Sequence, residues 1–102
     1  MNSIQLIGRL TRDPQVRETD DGTTVCTIGL AIPRRKRDGV DQGAVFVDVV
    51  TFSSQAKAVA EHLRKGRQVA IIGRLEFSRW EDSDGSRHSK HEVVGEHVEF
   101  LS

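Results

Sequence analysis

Aromatic and cationic side chains are the residues of this chain best suited to binding chemistry. The segment from Val45 to Phe52 is apolar at most positions and holds two of the five aromatic residues, Phe46 and Phe52. In a strand, alternate side chains point to opposite faces, so both phenylalanines share one face with Asp48. Three valines line the other face, which can form core: Val45, Val47 and Val49. Exposed rings in a chain with 15 lysines and arginines suit a partner with flat bases and negative charge, and single-stranded nucleic acid is such a partner.

A cluster of four consecutive cations follows the second apolar run. It consists of Arg34, Arg35, Lys36 and Arg37. The stretch continues to Gly43 with few apolar residues, so we predict a loop. A basic loop beside an aromatic strand can follow a phosphate backbone by releasing counterions, although a solvated surface is the alternative for any charge run. Four further cations could extend the track: Arg9, Arg12, Arg74 and Arg79. If about four phosphates were neutralised per subunit, log affinity would fall with log salt at a slope of about −3.

The aromatic residues also have other interpretations. Phe46 and Phe52 could instead pack under a helix as core. Trp80 lies between two charged residues beside a polar hairpin tip, which disfavours a core role and leaves an oligomer interface as the alternative to ligand contact. Phe77 and Phe100 fall on apolar faces, and we predict that both belong to the core.

Histidine, cysteine and acidic residues give little support for catalysis or metal binding. The four histidines are scattered, and His88 and His91 would point to opposite faces of a strand. A structural zinc site needs more than one cysteine or a histidine cluster, and Cys26 on an apolar face is predicted to be a small buried side chain. Three carboxylates crowd one hairpin tip, where solvated turn acids are expected: Glu81, Asp82 and Asp84. We therefore predict that the protein is not an enzyme and has no metal site and no cofactor.

Composition indicates one small globular domain. The chain has 102 residues, of which 36% are hydrophobic and 29% charged, and its formal net charge is zero. The charge is unevenly distributed, because 13 of the 15 cations but only 9 of the 15 acids lie at or before Trp80. No apolar run approaches a membrane span and the N-terminus does not resemble a signal peptide. We expect a cytoplasmic, nucleoid-associated protein with no membrane partner.

The predicted secondary structure follows the order strand, strand, strand, helix, strand, strand. Alternating or continuous apolar residues predict strands over 2–8, 25–32, 45–52, 69–77 and 92–101, with a bulge at Gly95. Ser53 and Ser54 offer an N-cap for an amphipathic helix that Gly66 would end. We predict an all-β fold, a five-stranded OB-fold barrel with one short helix between strands 3 and 4, in a single domain over residues 1–102. The pattern alone also fits other small β barrels.

Several separated segments resemble the bacterial single-stranded DNA-binding protein (SSB) family. They are Ile4 to Pro14, the strand Gly22 to Ala31, the helix Gln55 to Gly66, the triplet Gly73 to Leu75, and the ending Glu92 to Leu101. The resemblance covers nearly the whole chain and preserves the spacing between these segments. It implies an OB fold, usually a homotetramer, that binds and protects single-stranded DNA without strong sequence preference during DNA replication, repair and recombination.

The resemblance also implies roles for individual residues. Three aromatics match positions where the family stacks bases, namely Phe46, Phe52 and Trp80. With the cations named above, the predicted DNA-binding set is Arg9, Arg12, Arg34, Arg35, Lys36, Arg37, Phe46, Phe52, Arg74, Arg79 and Trp80. Lys36 stands where the family often has a further aromatic, and Asp48 stands where some members carry a cation. Both departures should weaken DNA binding.

Partners and assembly are further expectations. The chain ends at Ser102, directly after the last predicted strand, so we expect no acidic C-terminal tail for recruiting replication or repair proteins. A homotetramer is expected, because the edge of the first strand could pair with a second copy. The alternative function is an OB-fold protein-interaction adaptor of a primosome, similar to primosomal replication protein N, with secondary DNA contact. The three retained aromatics argue against this alternative.

Overall fold

Six strands and one helix make up the fold. The computed structural model describes residues 1–102. In chain order the elements are β1 (Ile4–Leu10), β2 (Gln15–Glu18), β3 (Thr24–Pro33), β4 (Ala44–Phe52), α1 (Ser53–His62), β5 (Gln68–Glu81) and β6 (Arg87–Phe100). The single helix, α1, has 10 residues and is too short to span a membrane.

Five of the strands close into a ring. The sheet order is β1-β5-β6-β4-β3-β2, and an additional pairing of β1 with β3 joins the two sides. Every pairing is antiparallel except that of β4 with β6, which is parallel. The closed ring, with its single helix after the third ring strand of the chain, confirms the predicted OB-fold barrel. The four-residue β2 pairs with β3 outside the ring and was missed by the pattern, because all four of its residues are exposed and lack apolar alternation.

The core fills the inside of this ring. Alternate residues of β3 are fully buried there, among them Cys26, Ile28 and Leu30. They pack with inward residues of the other strands and with three residues of or next to α1: Ala56, Val59 and Leu63. Cys26 is buried as predicted, and this burial raises the pKa of its thiol. The helix α1 packs mainly against β3 and β4.

The start of α1 differs from the prediction. The helix begins at Ser53 directly after β4, the N-cap position is Phe52, and no side chain donates or accepts a capping hydrogen bond. Ser53 has a φ of 58°, so the backbone turns sharply from strand into helix at this residue. The predicted serine cap is therefore wrong. At the other end the helix stops at His62, and Arg64 donates hydrogen bonds to the carbonyl oxygens of Ala60 and Leu63.

At one irregularity in the pairing of β5 with β6, the two backbones lie so close together that a glycine is required. The pairing register shifts between Ile72 and Gly73, which lies opposite Gly95, so the predicted bulge is confirmed. A Cβ atom on Gly73 would lie 2.0 Å from the carbonyl oxygen of Val94. The missing side chain lets the two strands stay paired while they bend.

Two aromatic residues predicted to be core are exposed. Phe77 and Phe100 have relative exposures of 45% and 40%. Phe77 lies where β5 and β6 extend beyond the ring as a two-stranded hairpin, so no second layer covers its face. Phe100 lies near the other end of β6, where its ring contacts the imidazole of His62 at a centroid distance of 6.0 Å. The prediction was wrong because the apolar alternation of β5 and β6 continues into parts of these strands that no longer face the barrel interior.

Candidate nucleic-acid interface

A cleft opens where β4 and β6 separate. These two strands pair only at Val49 with Val93 and at Val50 with Val94. The strands therefore diverge on the N-terminal side of these pairs. The space between them forms a cavity of about 450 Å³. It is lined by Thr11, Arg12, Gly29, Leu30, Phe46, Val47, Asp48, Lys90 and His91. The cleft thus combines an aromatic ring, a carboxylate and two cations.

Phe46 presents its ring to solvent at the edge of this cleft. Its relative exposure is 71%, high for a large apolar side chain, and its partner across the ladder on β3 is the small residue Ala31. The core alternative for Phe46 is therefore wrong. A base could stack on the open ring without any rearrangement of the core.

Four charged residues form an ion-pair network in the cleft. Arg12 lies 3.5 Å from one carboxylate oxygen of Asp48, and Lys90 lies 3.6 Å from the other. Lys90 also lies 3.5 Å from Glu92. Gly29 makes room for Arg12, because a Cβ atom there would lie 2.6 Å from a guanidinium nitrogen. The side chain of Arg12 is thus held against the surface of β3, and the two cations of the network, Arg12 and Lys90, balance its two carboxylates.

The β5–β6 hairpin carries a second group of rings. The indole of Trp80 stacks on the imidazole of His88, with centroids 5.4 Å apart. Phe77 contacts His91 at 4.8 Å, and the guanidinium carbon of Arg79 lies 5.1 Å from the centroid of the Phe77 ring, within cation–π range. His88 is also paired with Asp82 at the hairpin tip. A hollow of about 600 Å³ lies among these residues.

Several of these groups were missed from the sequence. They are Phe77, Arg87, His88, Lys90 and His91. The signal that could have found them is the pairing register of the hairpin. Its turn centres on Asp84, so residues equidistant from that position face each other across the two strands. Trp80 then lies opposite His88, and Phe77 lies opposite His91.

The basic loop is an ordered turn rather than an open loop. Arg37 and Val40 exchange two backbone hydrogen bonds of 3.1 and 2.9 Å, and the backbone N–H of Arg34 donates to the carbonyl oxygen of Gly43. The two residues at the turn, Asp38 and Gly39, both have positive φ, as a tight hairpin turn requires. All four cations are exposed, and none of them takes part in an ion pair. Their charges are therefore free to meet a phosphate backbone.

Three of the predicted site residues lie apart from the cleft, the hairpin hollow and the basic loop, namely Phe52, Arg9 and Arg74. Phe52 lines a hollow with Thr19, Asp20, Asp21 and Thr23, where the nearby charge is negative. Arg9 donates a hydrogen bond to the carbonyl oxygen of Gly66.

Arg74 is held by two carboxylates. Its guanidinium lies 2.9 Å from Glu76 and 3.4 Å from Glu96. The hydrogen bond that Arg74 donates to Glu76, supported by the charges of both acids, raises the pKa of Arg74 above its ordinary value. Because its charge is already compensated, Arg74 is a weaker candidate for phosphate contact than the unpaired cations of the basic loop.

Comparison with known proteins places the chain in a family. The family model described as "Single-strand binding protein family" matches residues 1–101. Similar curated proteins include the "Single-stranded DNA-binding protein" of Caldanaerobacter subterraneus subsp. tengcongensis, 41% identical over 99% of this chain and 68% of that protein. Those of Clostridium tetani and Helicobacter hepaticus are 42% and 39% identical over 99% and 98% of this chain. The chain spans 70% and 61% of the lengths of these two proteins. The chain therefore belongs to the single-strand binding protein family.

Proposed function

We propose that this chain binds single-stranded DNA without strong sequence preference, by stacking bases on exposed rings and contacting phosphates with unpaired cations. The observation that carries the proposal is the exposure of Phe46 and Trp80, two large rings left uncovered by the folded barrel. Each base stacked on an aromatic ring contributes about 1 to 3 kcal/mol whatever its identity, because every base has a π face.

The cations divide into two groups. The four of the basic loop and Arg79 on the hairpin have no carboxylate partner, and they are the best candidates for phosphate contact. Arg12 is partly neutralised by Asp48, whereas Arg9 and Arg74 are engaged elsewhere. Phe52 is a peripheral contact at most, because two aspartates line the hollow beside it. The strand of DNA is expected to run from the basic loop past Phe46 to the hairpin.

Family membership favours this function over the adaptor. The relatives reported above bear the name single-stranded DNA-binding protein, and the primosomal adaptor is not favoured. By the same likeness we infer that the chain acts in DNA replication, repair and recombination, with the DNA-binding role of the family and no catalytic one.

Assembly into a homotetramer belongs to the same proposal. The pairing of β1 with β3 is confined to Arg9 and Leu10, so the edge of β1 from Ile4 to Gly8 is open on that side. A second copy could pair there and bury the exposed side chain of Ile7. Light scattering at micromolar concentration is expected to give four times the chain mass of 11.4 kDa, and a monomer mass would overturn this part.

Titration with fluorescently labelled oligo-dT tests the main proposal. Fluorescence anisotropy should rise to saturation at low salt, and the affinity should fall as salt is added, because phosphate contacts release counterions. A flat titration at low salt would overturn the proposed function and restore the adaptor as the leading alternative.

A further inference from the structure

We propose that the cleft between β4 and β6 reads guanine: a base stacked on Phe46 donates its N1–H and its exocyclic amino group to Asp48, while its O6 accepts from Lys90. This inference rests on the proposed single-stranded DNA binding and adds a base preference to it. The residue that would determine the preference is Asp48, which the resemblance alone marks only as an unfavourable departure.

Asp48 is held in place with its acceptor capacity largely unused. Arg12 contacts one carboxylate oxygen at 3.5 Å and Lys90 the other at 3.6 Å, whereas a tight charge-assisted hydrogen bond measures about 2.7 to 2.9 Å. The two oxygens accept about four hydrogen bonds in total, so lone pairs remain for a ligand. The side chain is 37% exposed and lines the same cavity as Phe46. A base lying on that ring would therefore have its edge near the carboxylate.

The charges of the cleft favour a base over a phosphate. Arg12 and Lys90 are both within ion-pair distance of Asp48, and Lys90 is also paired with Glu92. Two cations and two carboxylates leave no net charge, and a phosphate placed in the cleft would meet the carboxylate of Asp48 at close range. The unpaired cations of the basic loop offer the phosphate a better position. The cleft is thus suited to the uncharged, hydrogen-bonding edge of a nucleobase.

Guanine matches the donor and acceptor pattern of the cleft. A carboxylate only accepts hydrogen bonds, and guanine alone among the DNA bases presents two adjacent N–H donors, on N1 and on the exocyclic nitrogen. Its O6 lies next to N1–H and accepts hydrogen bonds, as the ammonium group of Lys90 requires. Thymine instead presents a single N–H donor flanked by two carbonyl oxygens, which a carboxylate repels. Adenine and cytosine offer one amino group each beside an acceptor nitrogen.

The test compares oligonucleotides that differ by one amino group. A dT oligonucleotide with one central deoxyguanosine is measured against the same strand with deoxyinosine, which lacks the exocyclic amino group. Lithium buffer prevents quadruplex formation. We expect the wild-type protein to bind the guanosine strand about fivefold more tightly, at the lower end of the range for a bidentate contact because the site is partly exposed. A 7-deazaguanosine strand should bind as tightly as guanosine, since its pairing edge is unchanged.

Variants identify the group that reads the base. Asp48→Asn should bring the ratio of guanosine to inosine affinity close to one. Glu96→Gln removes a carboxylate outside the cleft and should leave that ratio unchanged, which controls for the general gain from removing negative charge. Thermal unfolding of each variant checks that it folds, and the wild-type comparison needs no variant at all.

The possible outcomes distinguish failure of guanine reading from failure of the proposed DNA binding on which it rests. Equal affinity of the wild-type protein for guanosine and inosine strands, with tight binding of both, overturns guanine reading and leaves DNA binding intact. A preference for guanosine that survives in Asp48→Asn also overturns it. Failure to bind any oligonucleotide overturns the proposed function itself.

Discussion

The indole of Trp80 stacks on the imidazole of His88, with ring centroids 5.4 Å apart and an interplanar angle of 20°. The pair leaves Trp80 45% exposed, so part of the indole is open to a second flat partner. Trp80 is also the only tryptophan, and intrinsic emission therefore reports on this position alone.

We expect saturating oligo-dT to quench the emission of Trp80, because a stacked base changes the surroundings of the indole. Trp80→Leu should weaken DNA binding by about 1 to 3 kcal/mol, roughly 5- to 150-fold in affinity, since one stacking platform is lost. Anisotropy with labelled oligo-dT measures the loss. Unchanged emission at saturation would mean that DNA does not reach the hairpin.

Phe46→Ala should weaken binding to oligo-dT by about 1 to 3 kcal/mol with little effect on stability, because the ring is mostly exposed and contributes little to the core. Phe100→Ala is the matched control, since Phe100 is also an exposed strand phenylalanine but contacts His62 away from the cleft. Equal losses of affinity in the two variants would contradict a specific role for Phe46.

Replacement of Arg35 and Lys36 together by glutamine should make the slope of log affinity against log salt shallower by about 1.4, because each phosphate contact to a single strand contributes about 0.7. Arg74→Gln should change the slope much less, as Glu76 and Glu96 already compensate that cation. The salt dependence of binding is measured for each variant. A larger change for Arg74 than for the loop pair would show that DNA follows a different path.

Gly73→Ala should destabilise the protein by about 2 kcal/mol or more, because the added Cβ would lie 2.0 Å from a backbone oxygen that cannot easily move. Gly95→Ala provides the comparison, since its Cβ would meet only side-chain carbons of Val49 and Thr51 at 3.1 and 3.2 Å. Urea unfolding gives both free energies. The expected order is a larger loss for Gly73, and the reverse order would contradict the close approach at the bulge.

Asp21 is expected to make stability depend on pH in the acid range. A hydrogen bond from the hydroxyl of Thr19, with further hydrogen bonds from Thr23, lowers the pKa of Asp21 below its ordinary value of 3.8. Its contribution to stability is thus fully present above pH 3.8 and is lost as the pH falls through the lowered value. Melting temperatures of the wild-type protein and Asp21→Asn should differ at neutral pH and converge in strong acid. Asp20→Asn, which removes the same charge but none of the hydrogen bonds from Thr19 and Thr23, is the control.

The sequence predicts the barrel well because the alternation in β3 and the apolar run in β4 follow directly from burial inside the ring. It predicts the exposed side of the fold less well. Phe77 satisfies the same period-two pattern as a core residue, and only the length of the hairpin places it beyond the barrel. The network of Asp48 with Arg12 and Lys90 joins residues 36 and 42 positions apart, so no local pattern could indicate it.

Two residue pairs join β4 to β6, whereas thirteen join β5 to β6. Parting this parallel seam would break few backbone hydrogen bonds, so its amide protons should exchange with solvent sooner than those of the β1–β5, β3–β4 and β5–β6 junctions. Like the two-pair junction of β1 with β3, this is a weak joint of the barrel. The rings proposed to hold DNA lie on either side of it, Phe46 on β4 and Trp80 on the hairpin. A bound DNA strand that contacts both rings would hold the two sides together. It would slow amide hydrogen exchange at the β4–β6 pairing although it adds no contact between the two β-strands.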